Sequence, residues 1–225
     1  MKKIISFALW GNNPKYTTGA IKNANLTKEF YPGWISRFYI HKDVDTSIVN
    51  EIKSIQNTEV SIVNETSDWR CMFWRFLPVF DNDTECFICR DCDSRLNYRE
   101  VAAVNEWENS NKFVHIMRDH PWHKFTMLGG MIGFKKQAFG ILINSLRNFN
   151  PTNEYGTDYV FFHNILHPHV KDISLVHDEF FEKKPFPTKR INYEFVGEVY
   201  DENENTVPEH TEILKNSYEN GSIKH

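Results

Sequence analysis

The stretch ECFICRDCDSRL, residues 85–96, carries two overlapping sets of reactive side chains: Cys86, Cys89 and Cys92 three apart, and Asp91 and Asp93 two apart. Its apolar first half reads as a strand. On a strand successive side chains alternate between faces, so Cys86 and Cys92 share a side that Cys89 does not. Three thiolates so disposed converge on one ion only through a turn, and the stretch has no Gly or Pro to make one. The fourth cysteine, Cys71, falls in the helical segment before, and no second closely spaced pair completes a zinc site. The thiols are therefore expected as small buried hydrophobes. The aspartates, at i and i+2, project the same way from the carboxyl end of the strand, the edge where open α/β sheets bind ligands. Two convergent hard oxygen donors suit Mg²⁺ or Mn²⁺, with substrate phosphates completing the shell. Arg90 and Arg95 flank the pair, where cations can contact phosphate.

Outward from this stretch, further strand-like runs stand at IISFALW (4–10), SRFYIH (36–41), EVSIVN (59–64) and KFVHIMRD (112–119). Helical patterns separate several of them. In DWRCMFWRFLPVF, Asp68 can cap a helix whose Trp69, Met72, Phe73, Phe76 and Leu77 form one stripe. In NYREVAAVNEW, Asn97 and Glu100 resemble a capping box ahead of Val101, Val104 and Trp107. Phe139, Leu142, Ile143 and Leu146 repeat the spacing. This alternation predicts an α/β domain with a mainly parallel central sheet and helices on both faces. The domain is expected over residues 1–181. A C-terminal extension over 182–225 follows, with INYEFVGEVY as an exposed strand and the charge-rich remainder as a loosely held tail or lid.

Composition excludes several classes. At 225 residues, 40% hydrophobic and 15% aromatic, the chain can bury a substantial core. A net charge of −4 from well-mixed signs offers no basic face to nucleic acid or an anionic membrane. MKKIISFALWG imitates a signal peptide but lacks a small-residue cleavage site and runs straight into the turn GNNPKY, so a buried first strand is expected. No apolar run approaches the ~20 residues that span a bilayer. Reduced thiols and the absence of a span predict a cytoplasmic protein, in the host cytoplasm if viral.

With these residues in view, the sequence resembles GT-A type glycosyltransferases, Rossmann-like enzymes that hold a nucleotide-sugar through a DxD motif and a divalent metal. FWRFLPVFD, RDCDSRLNYRE, EWENSNKFVHIMRDHPWH and LGGMIGFKK are similar to segments of small glycosyltransferase-like proteins of large DNA viruses and bacterial surface-polysaccharide clusters. The resemblance implies a metal-dependent transferase that uses a nucleoside-diphosphate sugar, UDP-sugar favoured, and a glycan or glycoconjugate acceptor. It implies that Asp91 and Asp93 contact ribose and Mn²⁺ or Mg²⁺, with His177, or Asp178 as runner-up, as a third metal ligand. It places Arg75 and Arg95 near the nucleotide-sugar and Tyr16, in the loop after the first strand, against the base. His120 and His123 of RDHPWH are expected to touch substrate, and Gly129 and Gly130 to let backbone amides approach a sugar or phosphate. Asp158, at the start of a late helix, resembles the catalytic carboxylate of inverting members. A helix terminus there is expected to keep it ionised as a base, and Asp119 competes for the role. Two other classes fit the same pair: a sugar-phosphate nucleotidyltransferase, against which the lack of a Gly-rich, Lys-bearing loop after the first strand weighs, and a non-catalytic nucleotide- or carbohydrate-binding protein.

Overall fold

The computed structural model describes residues 1–219. The described residues form one α/β domain around a seven-stranded sheet of order β3-β2-β1-β4-β6-β5-β7. β1 (Lys2–Leu9) runs parallel to β2 (Ile35–His41) on one side and β4 (Thr84–Cys89) on the other, and β3 (Thr58–Val63) continues parallel to β2. β5 (Val114–Arg118) is parallel to β7 (Ser174–Asp178). Between β4 and β5 lies β6 (Ile132–Lys135), antiparallel to both. β6 therefore starts at the edge where its neighbours end.

Each sheet face carries its own core. Ile5, Phe7, Leu9, Cys86 and Ile88 face α1 (Pro14–Phe30), α2 (Thr46–Ser54) and α3 (Tyr98–Asn109) through Ala20, Ala24, Ile52, Val104 and Trp107. Ile4, Phe87, Cys89 and Phe134 face the other way, onto Phe76, α4 (Phe139–Arg147) and Phe161 and Phe162. Alternate residues of β1 and β4 thus enter opposite cores, as a strand covered on both faces requires. The cysteines follow suit. All four are buried free thiols, and burial pushes Cys86 and Cys89 up to about 12 and Cys71 to about 11. They behave as small hydrophobes, not as reactive thiolates.

Asn97 caps α3 as expected, accepting from the Glu100 amide at 2.9 Å. The Glu100 side chain does not reciprocate; it is buried and accepts from Arg90 Nε at 2.7 Å and Tyr31 at 3.0 Å. Asp68 caps its segment too, but Trp69–Phe80 winds as a 3₁₀ helix. With three residues per turn and Pro78 inside, the expected α stripe is lost. Cys71 and Trp74 pack against Tyr39, Phe76 and Val79 enter the main core, and Trp69 is left exposed. β6 is not among the expected strands, since four residues containing Gly133 give no periodic signal. A Cβ at Gly133 would come within 2.9 Å of Ile88 and 3.1 Å of Trp107.

Beyond residue 181 the expected exposed strand is absent. Residues 191–200 form only isolated bridges, Ser94 with Val199 and Tyr200 with Thr206, while Phe195 and Val196 are buried. α7 (Pro208–Glu219) follows and buries Leu214; residues 220–225 of the expected tail lie outside the described residues. Asp119 fastens this segment to the sheet and is not available as a base. Its fully buried carboxylate accepts from Arg99 Nε at 2.8 Å, Arg190 Nη2 at 2.7 Å and the Val196 amide at 2.9 Å. Asp119→Ala leaves Glu179 as the one carboxylate that Arg99 and Arg190 still share and the Val196 amide without its acceptor, and is expected to cost about 3 kcal/mol in urea unfolding. A loss under about 1 kcal/mol would show that the cluster does not hold the segment.

Candidate active site

At the carboxyl edge of β1 and β4 the sheet opens into a cavity of about 580 Å³. β4 stops at Cys89, and Asp91 to Ser94 form a turn in which Ser94 Oγ donates to the Asp91 carbonyl at 3.0 Å. Asp91 and Asp93 therefore reach the cavity from a turn beyond the strand, and both line it. Arg75 of the 3₁₀ helix pairs with Asp91, whose side chain is half exposed, and its Nη2 lies 3.8 Å from Asp158. On the other side Lys15, at the start of α1, pairs with Asp93 at 2.7 Å. Burial, with Asp91 beside it, raises the Asp93 carboxyl pKa despite Lys15. A second positive charge at this point would relieve both carboxylates.

Gly129 and Gly130, just before β6, form the facing wall. A Cβ on Gly130 would overlap Asp91 Oδ2, and one on Gly129 would come within 2.7 Å of Arg75 Nη2 and 3.1 Å of Asp158 Oδ2. A side chain at either position would have to push Asp91 or Arg75 aside. Asp158 stands at the start of α5 (Thr157–Val160), after Gly156 in the left-handed conformation, and accepts from the Tyr159 amide at 3.1 Å. The helix start does not keep it at the usual carboxylate value: burial raises its pKa, and Arg75 offsets this only in part.

Tyr16, Arg75, Asp91, Asp93, His123, Gly129, Gly130 and Asp158 thus meet at one cavity. His123 takes its place with Nδ1 accepting from the Asp119 amide at 3.0 Å, and burial lowers its pKa. Besides Asp119, described above, four expected residues lie elsewhere. His177 is the last residue but one of β7, three strand spacings or about 14 Å from β4 across the sheet. Its Nδ1 is 2.8 Å from His115 Nε2 and its Nε2 is 3.4 Å from Glu106, so both nitrogens are engaged away from the aspartates. Asp178 pairs with Arg118 at 2.9 Å and accepts from the amides of Phe180, Phe181 and Glu182. Arg95, turned away past Ser94, pairs with Glu204 at 2.8 Å and stacks on Tyr200. His120 bonds the His210 carbonyl at 2.9 Å. Lys15 and the exposed rings of Trp69 and Tyr155 were not singled out from sequence. Lys15 is detectable only once the first loop is placed beside Asp93.

The raised Asp158 pKa has a consequence for stability. A folded-state pKa above the unfolded value means the acid form is the one the fold favours. The stability linked to it is present at low pH and lost as pH rises through the raised pKa. At neutral pH Asp158→Asn is therefore expected to raise the thermal midpoint over wild type, with the difference closing at about pH 3, where the carboxyl is protonated in both states. A lowered midpoint at pH 7 would show that the pairing with Arg75 outweighs burial.

No family model matches the chain, and no curated protein matches it. Solved structures do. One is a glycosyltransferase involved in the glycosylation of the major capsid of PBCV-1, with TM-score 0.53 and 19% identity over 81% of this chain and 85% of that one. A protein assigned as a glucose-1-phosphate thymidylyltransferase from Bacillus anthracis gives TM-score 0.52 and 10% identity over 79% and 86%. Rv0371c from Mycobacterium tuberculosis H37Rv gives 0.50 and 11% over 79% and 89%. At these identities the likeness is one of fold, and that fold is the Rossmann-like α/β architecture of GT-A type glycosyltransferases.

Proposed function

We propose that the protein is a metal-dependent glycosyltransferase, moving a sugar from a nucleoside-diphosphate sugar, with a UDP-sugar preferred, to a hydroxyl of a glycan or other acceptor. The observation that carries this reading is the Asp91–Asp93 pair just beyond β4, lining the cavity, flanked by Arg75 and Lys15 and faced by two glycines at which a side chain would push against Asp91 and Arg75. The donor set fits Mn²⁺ or Mg²⁺. It is two hard-oxygen carboxylates, one of them raised by burial and by the other beside it, and no third His, Cys, Asp or Glu joins them among the described residues. The remaining positions are left for phosphate oxygens and water. When bound, the ion neutralises the donor diphosphate and stabilises the departing nucleoside diphosphate.

The chain's own residues supply the rest. Arg75, buried and between Asp91 and Asp158, adds fixed positive charge where the leaving group develops negative charge. The amides around Gly129 and Gly130 face the same space. Tyr16 offers a ring to the base. Asp158 takes the proton of the acceptor hydroxyl as its oxygen forms a bond to the anomeric carbon and the bond from that carbon to the diphosphate breaks. A carboxylate with a raised pKa is the stronger base for this task. A sugar-phosphate nucleotidyltransferase shares the fold, as the thymidylyltransferase likeness illustrates. Here, however, β1 runs through a loop with the single Gly11 into α1 at Pro14, without a Gly-rich phosphate cradle.

The test is thermal stabilisation by a panel of nucleoside diphosphates, nucleoside triphosphates and nucleotide-sugars, with Mn²⁺ or EDTA. A Mn²⁺-dependent shift with UDP-sugars is expected, abolished in Asp93→Ala and in Gly130→Ala, whose new methyl displaces Asp91. Arg75→Ala is expected to lower transfer by about 10²-fold or more. Response to triphosphates with sugar 1-phosphates would select the nucleotidyltransferase, binding without turnover would select a binding protein, and no shift with any nucleotide would reject the reading.

A further inference from the structure

Five exposed aromatic side chains, Tyr16, Trp69, Trp122, Phe125 and Tyr155, border the one cavity. Exposing rings costs hydration free energy, so their gathering at a single opening points to a ligand. They are not randomly strewn. Trp69 meets Tyr155 edge-on at 5.1 Å, Tyr155 meets Tyr159 edge-on at 6.3 Å, and Tyr159 stacks flat on Phe125 at 4.1 Å and 9°. Four rings from three separate segments thus make one continuous wall. Tyr155 at its crest is 74% exposed, Phe125 41% and Trp69 40%.

The wall has a definite place relative to the charged residues. Following contacts along the cavity, Tyr16 lies beside Lys15, whose Nζ is 5.2 Å from its ring; Lys15 pairs with Asp93; Asp91 pairs with Arg75; and Arg75 neighbours Asp158. Asp158 sits in the wall itself, between Tyr155 and Tyr159 in sequence. The contacts thus run from Tyr16 through Lys15 and the carboxylate pair to Arg75 and Asp158, so that Asp158 belongs both to this charged chain and to the segment that bears the wall.

We propose that the wall of Trp69, Tyr155, Tyr159 and Phe125 is the acceptor subsite, and that it takes a carbohydrate whose pyranose ring lies on these aromatic faces. This rests on the glycosyltransferase reading for its name as acceptor site, but not for its sugar binding. A pyranose presents a C–H face that packs on a ring and equatorial hydroxyls that need acceptors at its margin. The wall supplies both, the faces from Trp69 and Tyr155 and the acceptor from Asp158. A peptide can also dock in an aromatic-lined groove, and is therefore an arm of the test. A lipid surface would leave the Asp158 carboxylate buried against apolar chains without a hydroxyl.

The experiment uses the full chain with Mn²⁺ and UDP, and reads saturation-transfer NMR and tryptophan fluorescence on a panel of methyl glycosides and trisaccharides, beside a Ser/Thr-rich peptide and phosphatidylcholine vesicles. Binding of at least one saccharide is expected, with the dissociation constant raised about tenfold in Tyr155→Ala and in Trp69→Ala and largely restored in Trp69→Phe. Tyr98→Ala, an exposed ring outside the cavity, is the control for a general surface effect. If peptide or vesicles bind and no saccharide does, or if the wall variants lose the UDP shift instead of the saccharide signal, the inference is overturned. If saccharides bind at the wall while no nucleotide binds, the inference stands and the transferase reading fails.

Discussion

The close approach of Gly130 to Asp91 is the constraint on which the site depends. It exists because β6 enters the sheet antiparallel, between β4 and β5, and so begins at the edge where β4 ends. A parallel strand in that slot would bring its carboxyl end there and carry Gly129 and Gly130 to the opposite edge. The inversion has a second effect. With Gly133 in β6, Trp107 of α3 lies close over the sheet at Ile88, and α3 is the helix whose Glu100 holds Arg90 beneath the cavity floor. One short strand thus sets both the facing wall and the support under it.

The molecule uses buried charge in two ways that burial alone does not separate. Asp119 is fully enclosed and every lone pair it offers is taken by Arg99, Arg190 or the Val196 amide. Nothing is left for a substrate. Asp91 is half exposed, and Asp158, though buried, faces the cavity with Arg75 at 3.8 Å and a carboxyl shifted toward the acid form. The first arrangement binds the C-terminal segment to the sheet; the second leaves unsatisfied electrostatic demand pointing at open space. That contrast separates scaffold from site here.

What the sequence made legible follows the same division. The parallel strands announce themselves as apolar runs because they are covered on both faces, and Asp91 with Asp93 is visible because the pair closes a buried apolar run, though the two stand on a turn that no Gly or Pro announces and not on one strand face. Asn97 capped its helix as read. Trp69–Phe80 was misread because a 3₁₀ helix with Pro78 inside spreads its buried residues over two cores, which a 3.6-residue period does not fit. β6 was missed for its length. His177 and Asp178 looked like ligands because they end a strand, but strand order, which no local pattern records, puts β7 at the far margin of the sheet. Asp119 and Arg95 failed for another reason: their partners, Arg190 and Glu204, stand 71 and 109 residues away in the C-terminal extension, which no local pattern ties to the sheet.

That segment does more than close the fold. Gly197, with φ of +83°, lines the cavity, and a Cβ there would come within 2.7 Å of Met131 and 3.5 Å of His123. The chain can pass at this point only as glycine, pressed against the loop that bears Gly129 and Gly130. The cavity floor is therefore assembled from both ends of the sequence, and its rigid half is the charged one, where Asp119, Arg99 and Arg190 lie behind it. The aromatic wall stands on the other half, built from exposed rings on short or irregular elements: the first residue of the 3₁₀ helix, the loop after β5 and the start of α5. Substitutions there meet solvent before they meet core. Carboxylates held by buried charge beside rings free to change would let such a fold alter what it recognises without disturbing that charged cluster.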